Sequence, residues 1–121
     1  MLRALRRKTI IILEHQLLLT SVCRQRLEAA GATVVGPVRS TRCVLEALID
    51  GNVDAAIVDI EVDDQTLLFA ASILENANVP FVFASRSNSH HGGYSMSGDS
   101  VELREISDAL FGPPGTLSTL H

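Results

Sequence analysis

The chain has 121 residues and a formal net charge of −4, with 46% hydrophobic and 20% charged residues, the composition of one compact domain rather than a disordered segment. A pI near 5.4 argues against a nucleic-acid binder working through a broad basic face, and no apolar run reaches the ~18–20 residues of a membrane span. Two cysteines, Cys23 and Cys43, make no disulfide framework, so a cytoplasmic location is expected.

The basic start, with Arg3, Arg6, Arg7 and Lys8, leads into an apolar run that ends at Glu14 and His15. That run is too short for a signal-peptide core and reads as a solvated arm before the first strand. Thr9 to Leu13 is continuous and β-branched, the pattern of a strand buried on both faces. Leu17 to Ala30 has helical spacing, with Leu18, Val22 and Ala29 on one side and Leu19, Cys23 and Leu27 beside them. Gly31 is placed to stop it. Thr33 to Val35 predicts a second strand, closed by Gly36-Pro37.

Ser40 or Thr41 can cap a second helix through Asp50, with Cys43, Val44, Leu45, Leu48 and Ile49 facing inward. Asp54 to Asp59 predicts a third strand that ends in an acid. A helix then starts at Asp64 or Thr66 and runs to about Ala77, and Val79 to Ala84 predicts a fourth strand. Arg86 to Ser100 holds Gly92, Gly93, Gly98 and five serines; it predicts a mobile loop with at most one short strand near Tyr94 to Met96. Val101 to Phe111 restores a helix, with Val101, Leu103, Ile106, Ala109 and Leu110 inward, before Gly112-Pro-Pro-Gly115. The alternating βα order with short connections implies an α/β domain built on a parallel sheet. A single domain over residues 1–121 is expected, with its core at about 8–111 and a frayed tail.

In such sheets ligands bind beyond the carboxyl ends of the strands. Three polar residues stand at those ends: Glu14 after the first strand, Asp59 after the third and Ser85 after the fourth. Four segments then resemble the receiver domains of bacterial response regulators: Ile11-Ile-Leu-Glu-His15, Gly31-Ala-Thr-Val-Val-Gly-Pro37, Asp54-Ala-Ala-Ile-Val-Asp-Ile-Glu61 and Val79-Pro-Phe-Val-Phe-Ala-Ser85. The Val-Val-Gly-Pro turn and the Pro-Phe-Val-Phe strand look like receivers that partner HWE-type and related histidine kinases. The resemblance implies a flavodoxin-like (βα)5 fold with strand order 2-1-3-4-5. It also implies that Asp59 is the phosphoacceptor, that Glu14 is the first acid of a metal-binding pair, and that Ser85 is the switch hydroxyl. Mg²⁺ would then be held by Glu14, Asp59 and the backbone carbonyl of Glu61.

Phosphoryl transfer to a carboxylate gathers negative charge that a cation must neutralise. The sequence departs from the family pattern there. The second acid of the pair is His15, and imidazole suits Mg²⁺ poorly. The lysine expected near Gly98 or Asp99 is missing, since Lys8 is the only lysine; Arg86 is a substitute to consider. His15 with His90 and His91 could suggest a transition-metal site, although a Ser/Gly loop usually turns such histidines to solvent. Cys23 and Cys43 read as small core residues. Fifteen residues from Arg86 to Ser100 cannot hold a two-turn helix, a strand of ~5 residues and their connections, so the fourth helix is expected to be shortened or lost. Phe81 or Phe83 would then be uncovered beside a sheet edge, which favours a homodimer.

Three functional readings follow. The first is a non-enzymatic, stand-alone receiver of two-component signalling: it takes a phosphoryl group on Asp59 from a histidine kinase or phosphotransfer protein and acts by contact with a downstream protein. The second is a pseudo-receiver, an interaction module that is not phosphorylated. The third is a flavodoxin-like enzyme for a small ligand, for which no cofactor motif is present.

Overall fold

A computed structural model of the chain describes residues 5–15, 18–85, 94–96 and 99–112. In chain order the elements are β1 (Thr9–Leu13), α1 (Ser21–Ala29), β2 (Thr33–Val38), α2 (Thr41–Ile49), β3 (Ala55–Asp59), α3 (Asp64–Asn76), β4 (Phe81–Ser85), β5 (Tyr94–Ser95) and α4 (Ser100–Phe111). All neighbouring strands pair in parallel, in the order β2-β1-β3-β4-β5. This is the flavodoxin-like arrangement expected from the sequence. The segment between β4 and β5, where the fourth helix is expected to be shortened or lost, lies outside the described residues. Among the described residues no helix is long and apolar enough to cross a membrane.

Successive side chains of a strand face opposite ways, and β1 shows why its sequence is apolar throughout. Ile10 and Ile12 join Cys23, Leu27, Leu103 and Ile106 beneath α1 and α4. Ile11 and Leu13 join Val44, Val58, Ala70 and Leu74 beneath α2 and α3. Each fully buried Ile or Leu contributes about 1.5–3 kcal/mol, so β1 and β3 anchor both layers at once.

Several boundaries and faces differ from the sequence reading. The first helix begins at Ser21, not Leu17, with Thr20 as its N-cap. Leu18 and Leu19 are buried from the preceding loop because their N–H groups donate to Glu14 Oε1. The helical phase therefore starts later, puts Cys23 and Leu27 inward, and leaves Val22 and Ala29 exposed. In α2 the inward residue is Val44, while Leu45 and Ile49 are exposed. A helix against a flat sheet buries one narrow stripe, and these two fall outside it. Val101, in the first turn of α4, is likewise exposed, whereas Leu103, Ile106 and Leu110 are buried.

Two further boundaries move. β2 continues through Gly36-Pro37 to Val38, and β4 starts at Phe81 rather than Val79. The core also begins before residue 8. Leu5 is fully buried, and the Arg7 N–H donates to the Gly31 carbonyl at 2.9 Å, so part of the basic arm is built into the domain. The expectations for Arg86 and for His90-His91 fall outside the described residues, as do those for Arg3, most of the Arg86–Ser100 segment and the tail beyond Gly112.

Candidate functional site

β1 and β4 flank β3 as parallel neighbours, so their carboxyl ends lie at one edge of the sheet. In the register, Leu13 sits opposite Val58 and Asp59 opposite Ala84. The residues that end or follow these strands are Glu14, Asp59 and Ser85, which are 2%, 3% and 5% exposed. The structure thus brings the three sequence-predicted residues to one edge, and all three are polar groups withdrawn from water. Burial of ionised carboxylates is costly unless hydrogen bonds and counter-charges compensate.

Asp59 has such compensation on both oxygens. Its Oδ2 accepts the His15 N–H at 3.0 Å and its Oδ1 accepts the Glu61 N–H at 2.9 Å. A carboxylate has about four lone-pair directions, so each oxygen keeps capacity for a further partner. His15 and Glu61 enter the site through their main chains, and both side chains are exposed. His15 is therefore not a side-chain member of an acidic pair in this geometry.

Glu14 is compensated differently. Oε1 accepts the Leu18 and Leu19 N–H groups at 3.2 and 3.0 Å, and Oε2 accepts a hydrogen bond from the Arg39 guanidinium at 3.3 Å. Arg39 follows β2 and keeps 67% of its side chain exposed while its partner is buried. It is the site residue that sequence reasoning missed. The available signal is the Gly36-Pro37 pair, which reads as the end of β2 but lies inside it. Ser85 pairs through its backbone, its carbonyl accepting the Met96 N–H at 2.8 Å.

Of the two positions where the lysine is expected, Gly98 lies outside the described residues and Asp99 carries an acid. Asp99 is the N-cap of α4, with Oδ1 accepting the Val101 N–H at 2.8 Å. Lys8 lies at the amino end of β1, with Nζ 5.1 Å from the centroid of the Phe111 ring. The length of the strand, about 16 Å at ~3.3 Å per residue, separates it from Glu14. Cys23 is buried and free, and burial pushes its thiol up to about 11 against a smaller opposing pull from Arg26.

Mg²⁺ needs several oxygen ligands in octahedral geometry, and the residues at this edge do not fit it. Glu14 Oε1 already accepts two N–H groups, and Oε2 faces the Arg39 guanidinium, whose positive charge opposes a cation there. The second acid is replaced by an exposed His15, and Asp59 is left as the carboxylate without an ion pair among the described residues. Among the described residues no three His, Cys, Asp or Glu side chains come together as a metal-holding group.

No protein-family model matches the chain, and no curated protein does. Among solved structures, the chain is similar to the BeF3-activated conformation of SdrG from Pseudomonas melonis Fr1. The TM-score is 0.57 at 26% sequence identity, over 84% of this chain and 80% of that one. The domain is receiver-like in fold, and the likeness supports response-regulator signalling at a coarse level.

Proposed function

We propose that the chain is a receiver-type domain of two-component phosphorelay signalling, with Asp59 as its phosphoacceptor. The observation that supports this best is the buried Asp59 carboxylate at the carboxyl end of β3, flanked by Glu14 and Ser85 at the ends of the two adjacent strands. An aspartate with no functional role would gain little from burial at a strand end. In the proposed reaction an Asp59 oxygen attacks the phosphorus of a phosphohistidine. The P–N bond breaks as the new P–O bond forms, and the departing imidazole takes up a proton. The donor is a histidine kinase, of the HWE type or a relative, or a phosphotransfer protein.

The His15 and Glu61 N–H groups hold the attacking carboxylate in place. Ser85, at the end of the next strand, is the hydroxyl proposed to meet the transferred group. The protein acts as an acceptor rather than an enzyme, and its output is contact with another protein. Self-association is part of the proposal. Phe81 and Phe83 pack edge to face with centroids 5.6 Å apart, and both line a groove of about 460 Å³ between α3 and β4 with Ala71 and Pro80.

A second reading is favoured by one observation, the Arg39–Glu14 pair, which commits an acid that phosphoryl chemistry would otherwise use. On that reading the domain is an interaction module held in one state. Beryllofluoride, a mimic of the acyl phosphate, separates the two in an amide NMR titration. The phosphoacceptor reading predicts shifts centred on His15, Asp59, Glu61 and Ser85 that vanish in Asp59→Asn. A silent wild-type spectrum would overturn it in favour of the interaction module.

A further inference from the structure

Arg39 reaches Glu14 because of one residue. Thr9, Ile10 and Ile11 pair with Thr33, Val34 and Val35 at a constant offset, but Leu13 pairs with Val38, one residue further on. The extra residue lies in the Gly36-Pro37 stretch and brings Arg39, instead of Val38, level with Glu14. The Glu14 N–H accordingly donates to the Val38 carbonyl at 2.9 Å. Bulges beside functional sites re-aim side chains in this way.

Gly36 makes the bulge feasible. Its φ is +123°, and a Cβ there would lie 2.8 Å from Val38 N and 2.9 Å from the Ile12 carbonyl oxygen. The Gly36 carbonyl also accepts a hydrogen bond from the Arg24 guanidinium, which ties the bulge to α1.

We propose that Arg39 is a resident counter-ion that occupies Glu14 in place of a divalent cation and makes the pocket indifferent to Mg²⁺. With Arg39 the three charged side chains Glu14, Asp59 and Arg39 sum to −1. Without it the two acids sum to −2, a far stronger attractor for a dication. A metal ion at Oε2 would first have to displace the guanidinium, and among the described residues no third acid is grouped with these two to help it. The inference rests on the proposed function only in taking Asp59 and Glu14 as the two acids of the pocket; metal exclusion is readable without any phosphorylation.

The test is an amide NMR titration with magnesium chloride, against sodium chloride at matched ionic strength. In wild type, the amides of Glu14, Asp59 and Ser85 are expected to respond to the two salts alike through the millimolar range. Arg39→Gln, at a largely exposed side chain, should keep the folded spectrum and bind Mg²⁺ at least about tenfold more tightly, a change of ~1.4 kcal/mol. Adding Asp59→Asn should remove that gain. Millimolar Mg²⁺ saturation of these amides in wild type, or an Arg39→Gln titration no different from wild type, would overturn the proposal. Failure of beryllofluoride to bind would leave this result unaffected.

Discussion

At the scale of single residues, Glu14 organises the site by holding backbone as well as charge. Replacing it with alanine removes the acceptor for two buried N–H groups, those of Leu18 and Leu19. Unsatisfied buried donors cost about 1–3 kcal/mol. Urea unfolding should show Glu14→Ala destabilised by about that amount, and Glu14→Gln, which keeps the carbonyl acceptor, by less. The two cysteines provide an independent check on burial. Cys23 is fully buried with a raised thiol pKa, whereas Cys43 is half-exposed and accepts a hydrogen bond from the Ser40 hydroxyl. Iodoacetamide at neutral pH should therefore alkylate Cys43 first and leave Cys23 until the protein unfolds. Equal rates would contradict the packing of α1. The placement of Glu14, Asp59 and Ser85 at one edge was legible in the sequence because three apolar strands each close on a polar residue, a coincidence that one such residue alone would not make. Arg39 was not, because its position depends on a register shift in the backbone. The role of His15 was hidden for a related reason: its N–H acts, and every residue but proline has one.

At the scale of elements, strands and helices were largely legible, because periodicity and caps are local properties. Thr20, Ser40, Asp63 and Asp99 each cap a helix with a side chain that accepts from the first turn. Asp63 adds a pH dependence. The Thr66 hydroxyl and N–H both donate to its carboxylate and hold the Asp63 pKa below the usual carboxylate value. A group whose pKa is depressed by folding stabilises fully above its unfolded pKa and loses that contribution as pH falls through the folded one. Asp63→Asn retains a cap without the titration, so its stability should fall less steeply than wild type below the ordinary carboxylate range. What was not legible depends on neighbours. The start of α1 was hidden because Glu14 holds Leu18 and Leu19 outside the helix. The end of β2 was hidden because a glycine and a proline usually close a strand but here form its bulge. Gly36→Ala should destabilise by about 1–3 kcal/mol or more, from strain at a positive φ and the clash with Val38. If the bulge aims Arg39, this variant should also acquire the Mg²⁺ response of Arg39→Gln.

At the scale of the whole molecule, two helix layers cover the two faces of the sheet. One side carries α1 and α4 and the other α2 and α3, with the Phe81 and Phe83 groove beyond α3. The proposed homodimer predicts that sedimentation at high micromolar concentration gives particles of twice the chain mass. Phe83→Ser should return them to single chains, and a wild-type monomer at that concentration would contradict the dimer. The parallel sheet was legible from the alternating strands and helices with short connections, whereas its strand order came only from the receiver resemblance. The proposed function turns on the buried carboxylate at the end of β3 accepting a phosphoryl group. With no lysine near Gly98 or Asp99 and His15 in place of the second acid of the pair, the site should react slowly, since the loss of one stabilising positive charge costs about 2–4 kcal/mol of transition-state stabilisation, a hundredfold or more in rate. The most direct measurement is intact-protein mass spectrometry after long incubation with acetyl phosphate or phosphoramidate, on wild type and Asp59→Asn. A single phosphoryl group is expected on wild type, labile to hydroxylamine as an acyl phosphate must be, and none on Asp59→Asn. No label on wild type, or the same label on both proteins, would contradict it.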